Sequence, residues 1–242
     1  MGAGLAFEAA LDRYSRQDFI VLNYHVHIPL PDPMVNPATL KRQEFYAVRS
    51  SPSYVFDGES DDGGGGDADA AKSIFDSKVD PRIAKLLAVP PGASIALKAS
   101  STGATVKVRA QVSKVTSTSD KLRLQIALAE DSVTYSGENG ERFHPIVVRS
   151  MALDATSAQG FALKPGKGGT FEYTFDVAKT VADAKAHLED YETNTRKGAY
   201  SFRQKKHEIG GGLTVVAFVQ DEATKKILQS TLVKPTVPKA SR

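Results

Sequence analysis

The sequence predicts an α/β layer over residues 1–89, an antiparallel β-sandwich over residues 90–235, and a tail over 236–242. Three observations lead there. The first is a change of texture at Pro90-Pro91-Gly92: helical and strand signals are mixed before it, and period-2 alternation dominates after it. The second is a run of about seven short strands with turn signals between them after that junction. The third is bulk: 242 residues, 41% apolar and 24% charged, supply enough chain and apolar surface for two ordinary domains.

In the first part, Ala6 to Tyr14 has the spacing of a short amphipathic helix, with Leu5, Ala9 and Leu11 near one face. Phe19-Ile20-Val21-Leu22 is a continuous apolar run and predicts a buried strand, which Tyr24-His25-Val26-His27-Ile28 extends by alternation. Pro29, Pro31, Pro33 and Pro37 then exclude helix and central strand. Asn36 or Thr39 caps a helix running through Phe45 to Val48. Ser53-Tyr54-Val55-Phe56 predicts a strand, and Asp57-Gly58 a hairpin turn. Ser60 to Asp69, with its four consecutive glycines, predicts a flexible loop. Ala68 to Lys78 is helical, and Asp80-Pro81 has the form of a cap plus first-turn proline opening a further turn to Leu87.

In the second part, Ala93–Lys98, Thr105–Val112 and Lys121–Leu128 alternate. In the third of these, Leu122, Leu124, Ile126 and Leu128 share one face, and Lys121, Arg123 and Gln125 the other. Pro145–Met151, Gly169–Val177, Leu213–Val219 and Lys226–Val233 are further strands. Val181 to Tyr191, rich in Ala, Lys and Glu, is an inserted helix. The set matches an immunoglobulin-like antiparallel β-sandwich with one inserted helix.

Composition excludes several functions. With 31 basic and 28 acidic residues the net charge is +3, so there is no electrostatic case for nucleic acid or a membrane surface. Only the tail from Lys234 to Arg242 is mildly basic. No apolar run approaches the ~20 residues of a transmembrane segment, and no signal peptide is visible. With no cysteine, the chain as given has no disulfide, no thiolate metal site and no dithiol–disulfide exchange.

A resemblance rests on four stretches. Val48-Arg49-Ser50-Ser51-Pro52-Ser53-Tyr54-Val55-Phe56-Asp57-Gly58 resembles the cis-proline loop of thioredoxin-like proteins. Leu22-Asn23-Tyr24-His25-Val26-His27-Ile28-Pro29 through Asp32-Pro33, Leu128-Ala129-Glu130-Asp131-Ser132-Val133-Thr134-Tyr135-Ser136-Gly137-Glu138-Asn139-Gly140 through His144-Pro145, and Val216-Ala217-Phe218-Val219-Gln220-Asp221 resemble a bacterial cell-envelope family. In that family a thioredoxin-like (redoxin) domain is fused to an outer-membrane-protein-like β-sandwich. The resemblance implies an incomplete thioredoxin-like domain over 1–89, lacking the first strand and the Cys-x-x-Cys, before the sandwich. It implies a periplasmic, secreted or otherwise envelope location. It implies a protein without redox cysteines that binds proteins or peptides or serves a structural role. The alternative it implies is a fragment of a thiol–disulfide oxidoreductase whose Cys-x-x-Cys lies upstream of Met1, which makes Met1 an internal start.

The candidate binding residues are Tyr24, His25, His27, Asp32, Ser51 and Pro52, with no catalytic residue, metal or cofactor assigned. His25 and His27 share a strand face, and Asp32 follows closely. Two imidazoles and a carboxylate suit a divalent ion, but no further ligand is evident and a structural role at the strand end is the preferred reading. The loop at Ser51-Pro52 is expected to dock an extended peptide. Asp61, Asp62, Asp67 and Asp69 around the glycines do not match a Ca²⁺ loop and read as a solvated linker. Ser50, Ser51 and Ser53 lack a nucleophile-elbow motif. His144, beside Glu141 and Arg142, reads as a turn residue, and Arg203 to His207 as a solvated basic face.

Overall fold

The computed structural model describes residues 2–61, 65–137 and 140–237. Helix α1 (Gly2–Arg13) buries Ala6 and Ala10, one turn apart on one face. Its neighbour Phe7 packs on Tyr54 and Phe56, with ring centroids 4.3 and 5.7 Å away. Helix α2 (Pro37–Tyr46) starts where the chain dictates. Asn36 Oδ1 accepts the Ala38 and Thr39 N–H groups at 3.0 and 3.2 Å, and Thr39 Oγ1 accepts the Asn36 N–H at 3.2 Å. The cap is also anchored: Asn36 Nδ2 donates to the Val148 carbonyl at 2.8 Å.

Strands β1 (Tyr54–Phe56) and β2 (Glu59–Asp61) form the expected hairpin. Asp57 and Gly58 both have positive φ, 47° and 92°, as a tight hairpin turn requires. A Cβ at Gly58 would lie 1.8 Å from the Lys225 carbonyl oxygen, so this turn tolerates only glycine. The next helical stretch departs from expectation. After a 3₁₀ turn at Ala68–Ala70, α3 (Ala71–Ile74), a π-helical turn (Phe75–Val79) and α4 (Asp80–Leu87) run on without a break. Val79 is helical, so Asp80 does not cap a new helix. Its carboxylate instead accepts from the Tyr14 hydroxyl at 2.5 Å and pairs with Arg13 at 3.0 Å. Phe75, Val79 and Ile83 close a small core with Ala6, Ala10, Tyr54 and Phe56.

From residue 93 the chain is a pair of antiparallel sheets. Strands β3 (Ser94–Ser101), β4 (Thr105–Ser113) and β8 (Gly169–Asp176) form one, in the order β3-β4-β8. The other has the order β10-β9-β5-β6, from β5 (Leu122–Thr134), β6 (Phe143–Met151), β9 (Leu213–Asp221) and β10 (Ile227–Val233). Short β7 (Phe161–Ala162) continues the β6 edge along β5. Helix α5 (Val177–Asp190) follows β8 directly, capped by Asp176, and ends in a π turn at Tyr191–Thr195. Between the sheets, Val106, Val108, Ala110, Val112 and Phe175 meet Leu122, Leu124, Ile126, Leu128, Val215, Ala217 and Val219.

One expectation fails because of what the large sheet leaves uncovered. The run Phe19–Ile28 is not a strand of an N-terminal sheet. Its single bridge is Asn23 to Val147, where the Asn23 N–H donates to the Ile146 carbonyl at 2.9 Å and the Val148 N–H to the Asn23 carbonyl at 3.0 Å. The second face of β5 is buried like the first: Gln125, Ala127 and Ala129 are fully buried. Ile20, Leu22, Tyr24 and Ala38 lie on that outer face against Ala127, Val148, Met151, Val216 and Phe218. The apolar N-terminal run therefore covers the large sheet instead of forming a sheet of its own.

A buried ion pair fixes the long connection after α5. Arg149 on β6 and Glu130 on β5 are 3% and 4% exposed. Arg149 also donates to the Lys206 and Glu208 carbonyls at 2.6 and 2.9 Å, and Glu130 Oε1 accepts the Gly210 and Gly211 N–H groups at 2.9 and 2.6 Å. No helix among the described residues is long and apolar enough to cross a membrane.

Replacing one partner leaves the other charge buried. Arg149→Met is expected to cost about 3–5 kcal/mol, read as a lower urea midpoint, with amide protection lost around Lys206–Gly211. An unchanged midpoint would contradict the anchoring role of the pair.

Candidate functional site

His25, His27 and Asp32 come together as expected, but as the centre of a cluster of four imidazoles. Asp32 Oδ2 lies 2.7 Å from His25 Nδ1, while Asp32 Oδ1 accepts the Met34 N–H at 2.8 Å. The Asp32 backbone N–H donates to His27 Nδ1 at 3.1 Å. One residue of the proline loop thus orients both rings. His144, at the start of β6, stands edge-on to His25 with centroids 5.1 Å apart and approaches the Tyr135 carbonyl through Nε2 at 3.1 Å. His187, on the last turn of α5, meets His27 with the two Nε2 atoms 3.4 Å apart. Tyr191 stacks on His27 at 3.9 Å, and Phe202 lies beyond at 6.1 Å.

Protonation follows from these partners. A neutral imidazole has one N–H. Because His27 accepts at Nδ1, its proton belongs on Nε2, from which it donates to His187 Nε2. His27 Nε2 is then a donor and offers no lone pair to a metal. Among the described residues no group of three or more histidines, aspartates or glutamates is arranged to hold a metal ion. His25 Nε2 is enclosed and has no hydrogen-bond partner among them.

The surroundings favour the neutral form of three of the rings, His27, His144 and His187. Burial, then the nearby His187, pushes His27 down to about 4. Burial lowers His187, against the opposing charge of Asp190. Burial, then His25, lowers His144, with the Tyr135 carbonyl acting the other way. For Asp32, burial acts to raise the pKa, but His25 and the Met34 N–H outweigh it and hold the carboxyl below its ordinary value.

Tyr24 turns away from this cluster. It belongs to the layer on the outer sheet face and forms part of an aromatic cage around Arg42, which is 2% exposed. The Arg42 guanidinium carbon lies 4.5 Å from the Phe45 ring centroid, 4.7 Å from Tyr46, 5.6 Å from Phe218 and 6.0 Å from Tyr24. Arg42 donates to the Tyr46 hydroxyl and to Gln220 Oε1, both at 2.7 Å. Burial pushes the Tyr24 phenol up to about 12, although the charge of Arg42 pulls it down.

Ser51 and Pro52 do not join the histidines. They lie exposed in a loop where Ser53 Oγ donates to the Ser50 carbonyl at 2.6 Å. The Ser51–Pro52 and Ile28–Pro29 peptides are both cis. Between Ile28 and the C-terminal half of α2 lies an open groove of about 530 Å³, lined also by Leu40, Gln43, Glu44, Ala47, Val48 and Arg49. Asp62 lies outside the described residues; Asp67 and Asp69 are exposed, in keeping with a solvated linker.

Sequence reasoning missed His187, Tyr191, Phe202 and Arg42 as members of these sites, and it read His144 as a turn residue. His187 is 160 residues from His27, and Arg42 is 178 from Gln220. No local pattern links positions so far apart.

No family model matches the chain, and no curated protein matches it. Among solved structures, HBP35 of Porphyromonas gingivalis is similar at a TM-score of 0.50 and 11% identity, over 84% of this chain and 59% of that one. This chain therefore spans well under two thirds of HBP35, and the likeness concerns the fold alone. A domain of the outer membrane lipoprotein Omp28 from the same organism matches at a TM-score of 0.34 and 17% identity, over 61% of this chain and 99% of that one.

Two outcomes are expected. The three depressed imidazoles take up protons less readily in the folded state than their ordinary value of 6.5 allows. The unfolded chain then binds more protons, so stability is full above about pH 6.5 and falls as the pH drops towards about 4. The urea midpoint should decrease over that window, and less steeply in His27→Gln; a flat profile would sink this account. Separately, Arg42→Lys should cost about 1–3 kcal/mol in thermal or urea unfolding, because a point charge cannot fill the planar cage while bonding two oxygens.

Proposed function

We propose that this chain is a non-redox binding protein of the bacterial cell envelope that holds an extended peptide segment in the groove between Ile28 and the C-terminal end of α2. The observation that carries the reading is placement. Ile28, from the candidate stretch Tyr24 to Pro33, and Val48-Arg49, which lead into the loop expected to dock a peptide, line one groove. Ile28 forms one wall. Val48 and Arg49 form the other and lead into the serine-proline loop. Ile28, Leu40, Ala47 and Val48 suit apolar side chains, while Gln43, Glu44 and Arg49 offer polar partners to an extended backbone.

The wall at Ile28 is held by its neighbours. His27 is fixed by Asp32, His187 and Tyr191, so the groove rests on a braced segment, which limits the ordering cost of binding. The envelope location rests on the sequence stretches that resemble the envelope redoxin family. The same resemblance supports reading residues 1–89 as a thioredoxin-related layer and 90–235 as an immunoglobulin-like sandwich. The small core of Ala6, Tyr54, Phe75 and Ile83 is separate from the inter-sheet core that begins at Ala93, whereas Ile20 to Ala38, within 1–89, pack on the outer face of the large sheet.

The test is selection from a displayed library of random peptides against the purified chain. Enriched peptides are expected to lose about tenfold or more in affinity on Val48→Asp or Leu40→Glu, with the far-UV spectrum unchanged. Enriched peptides insensitive to both substitutions would remove the groove as the site, and a library that enriches nothing would remove the peptide-binding reading.

A further inference from the structure

We infer that the contact between His27 and His187 is a proton-controlled latch, holding the segment after α5 against the proline-rich loop only while both imidazoles are neutral. The placement of the ring protons leads there. His27 Nδ1 accepts the Asp32 N–H at 3.1 Å, so its one proton sits on Nε2. His187 Nε2, 3.4 Å away, must then present a lone pair. Every nitrogen in the contact has one role. A proton added to His27 lands on Nδ1 and confronts the Asp32 N–H. A proton added to His187 lands on Nε2 and confronts the His27 N–H. Either event replaces a hydrogen bond with two opposed donors.

The surroundings do not rescue the charged state. From the loop, the Asp32 carboxylate is engaged by His25 and by the Met34 N–H. From α5, Asp190 favours a proton on His187 but does not overcome its burial. From the π turn, Glu192 is paired with Lys205 at 2.8 Å and accepts the Phe202 N–H at 2.7 Å. Tyr191 stacks on His27, but a ring face is a weaker partner for an imidazolium than a free carboxylate and leaves both opposed donors in place. On the far side of the neighbouring pair, His144 is lowered by its own burial and then by His25, and it supplies no compensating negative charge.

The fold also sets how far release extends. The Lys206 N–H donates to the Pro33 carbonyl at 3.1 Å, and Arg149 binds the Lys206 and Glu208 carbonyls. These bonds contain no titrating imidazole. Acidification therefore frees residues 191–205, with Phe202, while position 206 stays pinned. The freed segment packs against the loop bearing Ile28 and Pro29, so the latch acts beside the groove without depending on what the groove binds.

The absence of cysteine makes a clean test possible. Leu30→Cys and Ala199→Cys, both at exposed positions, accept a pair of spin labels. The inter-label distance is expected to be narrow at about pH 7.5 and to lengthen and broaden at about pH 5, while far-UV dichroism keeps its sheet signal. In the added presence of His27→Gln and His187→Gln, which cannot titrate, the pH dependence should disappear. Three results overturn the latch: a distance that does not change, a change that survives both substitutions, or a change that coincides with global unfolding. If the double variant does not fold, ring-nitrogen NMR of the wild-type chain decides. A neutral His27 carrying its proton on Nε2 is expected, and a proton on Nδ1 refutes the inference.

Discussion

The large sheet is apolar on both faces, and most of the architecture follows from covering it twice. Along β5, Leu122, Leu124, Ile126 and Leu128 point to the small sheet, while Gln125, Ala127 and Ala129 point the other way and are just as buried. Along β9, Val215, Ala217 and Val219 face the small sheet, and Val216 and Phe218 face outward. A two-sheet sandwich covers only one of these faces. The second must be covered by other chain, because apolar area left in water costs roughly 25 cal/mol per Å². The segment from Ile20 to Ala38 supplies that cover. This is why Asn23 joins the edge of β6, and why the cap of α2 is bonded to the Val148 carbonyl.

Covering a sheet with irregular chain creates polar problems, and the buried charges solve them. Arg42 reaches from α2 to Gln220 on β9 and is surrounded by rings in place of a carboxylate. Arg149 and Glu130 use both ends of an ion pair to bond four backbone groups of the 206–211 connection. Asp32 satisfies a backbone N–H with one oxygen and a ring with the other. Each is a buried polar group whose partners come from distant chain, so each specifies one arrangement of layers and not merely a compact one. The histidines sit where three of these layers meet: the proline loop, the start of β6 and the end of α5.

Parts of the site were legible because they are local. His25, His27 and Asp32 lie within a few residues of one another, and proline spacing forces the loop to turn back, so their grouping follows from sequence. Asn36 followed by Pro37 announces α2, and Asp57-Gly58 announces its hairpin. The two faces of β5 were legible but the burial of the second was not, because alternation records side-chain period and not what lies above each face. Arg123 looks like a surface residue, yet it binds the Gln159 and Gly160 carbonyls and pairs with Asp154 beneath the β7 connection.

By itself the sequence determined the helices and the long strands of the sandwich, the absence of cysteine from the given chain and the local His–Asp group, because period, turn residues and composition act over a few positions. Only the tertiary structure decided what the Phe19–Leu22 run pairs with, which rings enclose Arg42, and that His187 and Tyr191 complete a site begun at His27. Those outcomes depend on which apolar faces remain uncovered once the sandwich has formed, a property of the assembled layers that no window of residues contains.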